Sequence, residues 1–540
     1  MILITLLSFF PIGLLLFGSI LAVRAGRILG NLILKKNHAR RSKLLQIFAD
    51  EEKEFDHLGN GNRDSDEWEN VEGYTMEKTP SSAIIDMEWD GIVGFFHPFC
   101  DAGGGGERVL WAGIKAMQNR WPKAKFVVYT GDQGVEKETI LNHVQSRFNI
   151  TLHAPSIQLL YLTTRSWVLA SSWPHFTLLG QSIGSIVLAW NAFSLLVPDI
   201  FIDTMGYAFS LAFCKFLFPN LPTGAYIHFP TISTDMLSSL KSTSLSNIQG
   251  LNAGRGLGVL GFGKRIYWHL FANLYSLVGG SIDLVMTNST WTQQHIMSLW
   301  GSWRSWVKKT VPQTVYPPVA VDEIVSAIKI SDTSEKKRKP IIIYLGQFRP
   351  EKNHRLILNS FAKFKRSCTS VSKVAKLVLV GSIRNDDDIA RVNDLKVLTN
   401  QLDIVDSIIF ELDVTWPDVL KWLASASIGV NGMWNEHFGI GIVEYQAAGL
   451  IPVVHNSGGP KLDIVKSSEG QPTGFYASTA EEYAACFEMI LDMSDVEKVE
   501  MRQRVRKNTQ RFTEEVFITE WIKQVEKLVD MSKSSKMKEP

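Results

Sequence analysis

Short apolar runs recur along the chain, each ending in a glycine or a polar turn and most followed by a stretch with helical spacing. In the first half they fall at residues 92–96, 125–129, 199–203 and 224–228, and in the second half at 341–345, 376–380, 407–410 and 451–454. Continuous rather than alternating runs suit strands covered on both faces, as in parallel sheets wrapped by helices. The pattern therefore predicts two Rossmann-like α/β units, the first over 86–320 and the second over 341–505. Residues 321–340 are expected to link them, since Pro317-Pro318 precedes the charged stretch 331–340, and 506–540 should form a closing helix and tail.

Two further stretches carry no charge at all. Residues 1–23 are rich in Leu, Ile and Phe and long enough for the ~20 residues that a bilayer core requires. The basic n-region of a cleaved leader is missing. Positive charge follows instead, at Arg24, Arg27, Lys35, Lys36, Arg40, Arg41 and Lys43, which predicts a single-pass anchor with the amino end lumenal and the rest cytosolic. The same cluster can hold the body against anionic lipid. Residues 178–197 would also pass a hydropathy window, but a span there would split one sheet across a bilayer. A helix buried in the first unit, or lying in the membrane interface, is predicted instead.

Residues 24–85 are predicted as a basic juxtamembrane segment followed, over 50–80, by an acidic flexible insertion with too few apolar residues to bury. Trp167, Trp173, Trp190, the aromatic run 209–218, and Trp300, Trp303 and Trp306 beside Lys308 and Lys309 are candidates for a lipid-facing flank, with core packing as the alternative.

Composition narrows the function classes. At 540 residues the chain exceeds what one core supports, which agrees with two domains. A net charge of +2 gives no electrostatic footprint for nucleic acid. Cys100, Cys214, Cys368 and Cys486 stand singly, as reduced thiols of a cytosolic compartment do, and no zinc-type spacing occurs.

The densest chemistry lies in 433–449, MWNEHFGIGIVEYQAAG. Glu436 and Glu444 flank a helix start expected near Phe438 or Gly439, so the amides of Phe438, Gly439 and Ile440 would face a phosphate or a polarised sugar hydroxyl. The plain alternative is that Glu436 caps the helix and Glu444 is solvated. Four glycines at 103–106, with Gly104 and Gly105 central, follow the first strand and His97-Pro98 and let a ligand approach the backbone. Arg349 and Lys352 should overhang the end of strand 341–345, and His228 should close strand 224–228 beside a Ser/Thr/Gly-rich run to Gly263 that reads as mobile. Asp386, Asp387 and Asp388 have the chemistry to hold a divalent ion against a diphosphate, but they precede a helix over 389–402, where acidic residues favour the start.

Residues 346–353 together with 436–444 resemble the donor-binding motifs of the retaining glycosyltransferases of family four, which have the two-domain GT-B fold. More narrowly, the amino-terminal anchor, His97-Pro98 with GGGGER, AYIHFPTIS at 225–233 and NEHFGI at 435–440 are similar to the eukaryotic GDP-mannose-dependent α-1,2-mannosyltransferases of dolichol-linked oligosaccharide assembly. The resemblance implies GDP-mannose as donor and addition of the fourth and fifth mannoses to trimannosyl-chitobiosyl diphosphodolichol, with retention, on the cytosolic side of the endoplasmic reticulum membrane. It further implies Glu444 on the donor ribose, Glu436 on a sugar hydroxyl and His228 near the reacting carbon. Arg349 and Lys352 would meet the diphosphate, which removes the need for a metal or other cofactor. Other mannosyltransferases of the pathway are implied as neighbours. Many family members have glycine where His437 stands, a position expected to contribute only backbone. A sibling transferase, a user of UDP-sugars or a non-catalytic membrane scaffold are the competing readings, since nothing in these motifs reads guanine.

Overall fold

In the computed structural model, which describes residues 2–61, 88–239 and 258–536, the chain forms two parallel α/β layers facing a cleft. The first sheet contains β1 Ile92–Phe96, β2 Lys125–Thr130, β3 Ile157–Tyr161, β4 Ile200–Asp203, β5 Thr223–Ile227, β6 Leu284–Thr287 and β7 Gln313–Thr314, in the order β3-β2-β1-β4-β5-β6-β7. The second contains β8 Ile341–Leu345, β9 Lys376–Gly381, β10 Ile408–Leu412, β11 Ile428–Asn431, β12 Ile451–His455 and β13 Phe475–Ala477, in the order β10-β9-β8-β11-β12-β13. All eight predicted strands are present. The missed ones, β3, β6, β7, β11 and β13, lack a long apolar run: β11 is the four residues IGVN and β7 only QT. In both sheets the order reverses beside the first strand, which puts a crevice at the carboxyl ends of β1 and β4 and of β8 and β11.

Helix Ile2–Gly61 overturns the expectation of a flexible stretch beginning at 50. Its later turns are fastened to the first domain. Phe48 is fully buried, Lys137 and Gln158 donate to the Glu51 carboxylate, and His153 Nε2 stands 2.8 Å from Glu52. Asn37 clips the helix lower down, donating to the Phe193 carbonyl and accepting from Val197 N, each at 3.0 Å. Acidic residues at the start of the predicted insertion are thus partners of Lys137, His153 and Gln158, 86 to 107 positions away. The rest of that predicted insertion, 62–87, lies outside the described residues.

The predicted linker is also corrected. Val321–Ala327 and Asp332–Glu335 are helices, and Val321, Ile324 and Ile328 belong to the second domain's core. Glu335 forms a buried ion pair with Arg502, at 2.7 and 3.0 Å. Glu335 therefore ties the segment to the second domain. Likewise, Gly263 sits inside helix Gly258–Ser281, although the run was read as mobile up to it; residues 240–257 are outside the described residues.

Helix Thr177–Leu195 buries Leu188, Ala189, Ala192 and Phe193 in the first core and exposes Ile183 and Trp190. Among the described residues it is the one helix long and apolar enough to cross a membrane, yet β1 to β3 before it and β4 after it pair within a single sheet. Trp300 is core, packed on Tyr275 at 5.1 Å, which removes it from the proposed flank; Trp306 is 74% exposed. The last helix, Glu514–Lys536, crosses back to the first domain and inserts Phe517, Trp521, Val525 and Leu528 into its core.

Candidate active site

The cleft holds a cavity of about 460 Å³ between the two crevices. Gly104, Gly105, His228, Arg349, Lys352, Glu436, Phe438, Gly439 and Ile440 all line it, although they come from four separate segments. Parallel strands bring this about, because every β-to-α loop emerges at the same edge. Glu444 does not reach this cavity. It faces a neighbouring space of about 250 Å³ with Arg108, Glu323 and Trp416, and the two spaces meet at Gly105 and Ile440.

Lys352 closes the short turn after β8, and its Nζ lies 2.5 Å from Glu436 Oε2. Asn431, at the end of β11, donates to the same oxygen at 3.3 Å. Burial alone pushes the Glu436 carboxyl upward, but Lys352, with smaller help from His437 and Asn431, outweighs it and holds the group below the usual carboxylate range. Arg349 is bound far more loosely: among the described residues its nearest acid is Glu351 at 3.8 Å, and its side chain is 39% exposed. One cation is therefore preset and the other is free to meet a ligand.

The helix after this loop is Ile440–Ala447, starting one to two residues later than the expected Phe438 or Gly439. Gly439 precedes it at φ 111°, a left-handed conformation that a side chain would strain. That turn lets the chain enter the helix with its first amides aimed into the cleft.

His228 follows β5 directly and is half-buried at the cavity wall, with its Nε2 atom shielded from solvent. Its Nε2 has no hydrogen-bond partner among the described residues and would lie 3.3 Å from a Cβ at position 106, so a side chain there would press on the ring. Burial lowers its pKa to about 4, against a hydrogen bond to the Thr204 backbone that raises it and the neighbouring His437, which lowers it further. The ring is therefore uncharged at neutral pH, and Nε2 is the nitrogen left for a ligand hydroxyl. Behind it, His97 Nδ1 stands 2.7 Å from Thr204 Oγ1 and burial holds that ring near 3, also neutral.

Glu444 is raised above the usual range by burial, with Arg108 pulling the other way. Arg108 Nη2 bonds Glu514 at 2.5 Å, and its buried Nε has no partner among the described residues. On the first helix of the glycine turn, Glu107 accepts from the amides of Ala102 and Gly103, both at 2.8 Å, which shapes the turn from below. Asp386, Asp387 and Asp388 begin helix Asp386–Gln401; Asn385 caps it and Asp388 faces Arg384 at 3.3 Å.

Sequence reading passed over Thr204 and Asn431, and it noted His97 and the GGGGER run that holds Arg108 without giving either residue a role. The signal for His97 was its place at a strand end before proline, and for Asn431 its place as the last residue of an unrecognised strand. It also treated His437 as backbone only, whereas the ring is enclosed between Phe229 and Trp291, with centroids at 4.4 and 5.1 Å.

Comparison with known proteins gives two family models on this chain, ALG11 mannosyltransferase N-terminus over residues 90–300 and Glycosyl transferases group 1 over 326–512. A Neurospora crassa protein described as GDP-Man:Man(3)GlcNAc(2)-PP-Dol alpha-1,2-mannosyltransferase is 54% identical, with 98% of each chain covered. A Homo sapiens protein with the same description is 44% identical over 81% of this chain and 87% of its own. Among solved structures, sucrose-phosphate synthase from Thermosynechococcus elongatus matches with a TM-score of 0.58 at 14% identity, covering 81% of this chain and 99% of that one. At that identity the likeness concerns the fold, which is GT-B.

Proposed function

Since the chain belongs to the family of GDP-Man:Man(3)GlcNAc(2)-PP-Dol alpha-1,2-mannosyltransferases, we propose that it transfers mannose from GDP-mannose in α-1,2 linkage to trimannosyl-chitobiosyl diphosphodolichol, with retention. The observation that carries this reading is the convergence of one preset and one free cation, Lys352 and Arg349, with the helix amides at Ile440 on a single interdomain cavity.

In the proposed mechanism the bond between mannose C1 and the diphosphate oxygen breaks, and charge develops on the leaving diphosphate. Arg349, Lys352 and the Gly439 to Ile440 amides are aimed to stabilise it, and the close backbone at Gly104 and Gly105 admits the phosphates from the other wall. The acceptor hydroxyl oxygen bonds to C1 on the face the diphosphate leaves, and its proton passes to that diphosphate. Glu436 accepts from a mannose hydroxyl and His228 Nε2 from another near C1, which fixes the ring without supplying a nucleophile. Glu444, next door, accepts from the ribose diol. These fixed charges and dipoles do the work that a divalent ion does elsewhere, so no metal is assigned. Residues 1–23 anchor the chain in the endoplasmic reticulum membrane with both domains cytosolic, and the dolichol acceptor reaches the cleft from that membrane.

The test supplies full-length protein with labelled GDP-mannose and defined lipid-linked acceptors. Mannose should pass to the trimannosyl acceptor and not from UDP-sugars. Transfer only to a different acceptor, or equal use of a UDP-sugar, would replace this reading with that of a sibling transferase.

A further inference from the structure

The described cleft is bridged by a contact that no step above uses. Asn435 Nδ2, in the second domain, donates to Asp235 Oδ2, in helix Thr234–Ser239 of the first, at 2.6 Å across 200 residues of sequence. The same carboxylate oxygen lies 3.2 Å from His295 Nε2. His295 is itself held: its Nδ1 is 2.8 Å from the Trp291 carbonyl and its ring packs on Trp291 at 4.0 Å. Asp235 is therefore braced from its own domain while it reaches across.

What it reaches is the residue before Glu436. Asn435 has φ 50°, a left-handed conformation that asparagine tolerates better than most side chains, and its amide donates to Ser457 Oγ at 2.8 Å. The direction in which the next residue leaves this turn depends on φ and ψ at 435. The Glu436 carboxylate, 2.5 Å from Lys352, has little freedom to correct an error there.

We infer that Asp235 is a positioning residue for the transfer: by fixing the Asn435 side chain from across the cleft it sets the turn that presents Glu436 to the donor sugar. The acceptor-side domain thus takes part in assembling a donor-side group, and Glu436 is fully aligned only while the two halves are together. This rests on the role proposed above for Glu436.

The experiment uses full-length protein carrying Asp235→Ala, Asp235→Asn, Asn435→Ala, Asp235→Ala with Asn435→Ala, or the exchanged pair Asp235→Asn with Asn435→Asp, which rebuilds the hydrogen bond with donor and acceptor reversed. Amide hydrogen exchange of residues 433–439 is read without substrate, and kcat and KM are read with GDP-mannose and acceptor. Asp235→Ala should speed exchange locally at 433–439 and lower kcat roughly 10- to 100-fold with a much smaller change in KM. The double Ala variant should lose no more than the single ones, because both remove one contact. The exchanged pair should recover most of the local protection and turnover that Asp235→Asn loses. Unchanged exchange at 433–439 in Asp235→Ala overturns the inference, as does exchange that rises throughout the chain together with a lower Tm, which would make Asp235 a stabilising residue only. If the unaltered protein transfers no mannose, the functional reading fails while the exchange data still decide whether Asp235 sets the turn.

Discussion

Lys352 Nζ sits 2.5 Å from Glu436 Oε2 in a site where Glu436 is 8% exposed, so the buried carboxylate depends on that cation for its charge. Lys352→Ala would leave Glu436 buried beside only Asn431 and His437, and the carboxyl would rise toward its neutral form as well as losing the cation that meets the diphosphate. We expect kcat/KM for GDP-mannose to fall about 100-fold or more in Lys352→Ala, with the fold intact by circular dichroism. Adding Glu436→Gln should cost little beyond the worse single variant, because the two groups act as one unit. Near-normal rates in Lys352→Ala would contradict the mechanism.

Chelation separates the proposed charge stabilisation from metal-assisted transfer. Arg349, Lys352 and the helix amides at Ile440 already face the cavity, so activity should survive excess EDTA. Loss of activity on EDTA, restored by a divalent ion, would bring Asp386, Asp387 and Asp388 back as candidates.

His354 offers a pH test of stability. Both ring nitrogens are buried without a partner among the described residues, and the ring lies between Tyr344 and Phe348 with centroids at 4.7 and 5.0 Å. Burial, with Lys352 and Arg391 adding to it, lowers its pKa from 6.5 to about 3. Below pH 6.5 the unfolded chain takes up a proton that the folded chain refuses, so the stabilisation is complete above 6.5 and is lost as pH falls toward 3. Between pH 7 and pH 5 this one group should remove about 2 kcal/mol. His354→Phe should abolish that share, seen as a smaller shift of the urea midpoint between the two pH values. An identical shift in both proteins would mean that the ring is protonated in the fold.

Deleting residues 1–23 should cut activity on dolichol acceptors in bilayers by about tenfold or more and change that on short-chain, detergent-dispersed acceptors by less than about twofold, since a tether raises local concentration without touching the chemistry. The helix beyond the deletion is held by Asn37, Phe48 and Glu51, so it should stay docked. In the truncated protein, Trp303→Ser with Trp306→Ser should deepen the bilayer defect if these residues, 36% and 74% exposed, rest on lipid. Equal losses on both acceptors would assign the amino terminus a folding role instead.

Eight of the thirteen strands and most of the main cavity were legible in the sequence. Buried parallel strands are written as apolar runs, and β1 and β8 carry the same bounds in the pattern and in the fold. Once the strands are placed, their carboxyl-end loops must converge, so Arg349, Lys352, His228 and Glu436 could be assembled without coordinates. Charge pattern was the poorer guide, because it is local while its meaning is not. Glu51 read as part of a flexible insertion and Glu335 as part of a linker until the fold brought Lys137 and Arg502 to them. Only the packing of one domain against the other put Glu444 in the adjoining space and set Asp235 against Asn435, and only packing within the first domain brought His228 Nε2 up to Gly106. Those relationships depend on separations of 200 residues and on a cleft width of a few ångströms, and no periodicity along a chain encodes either.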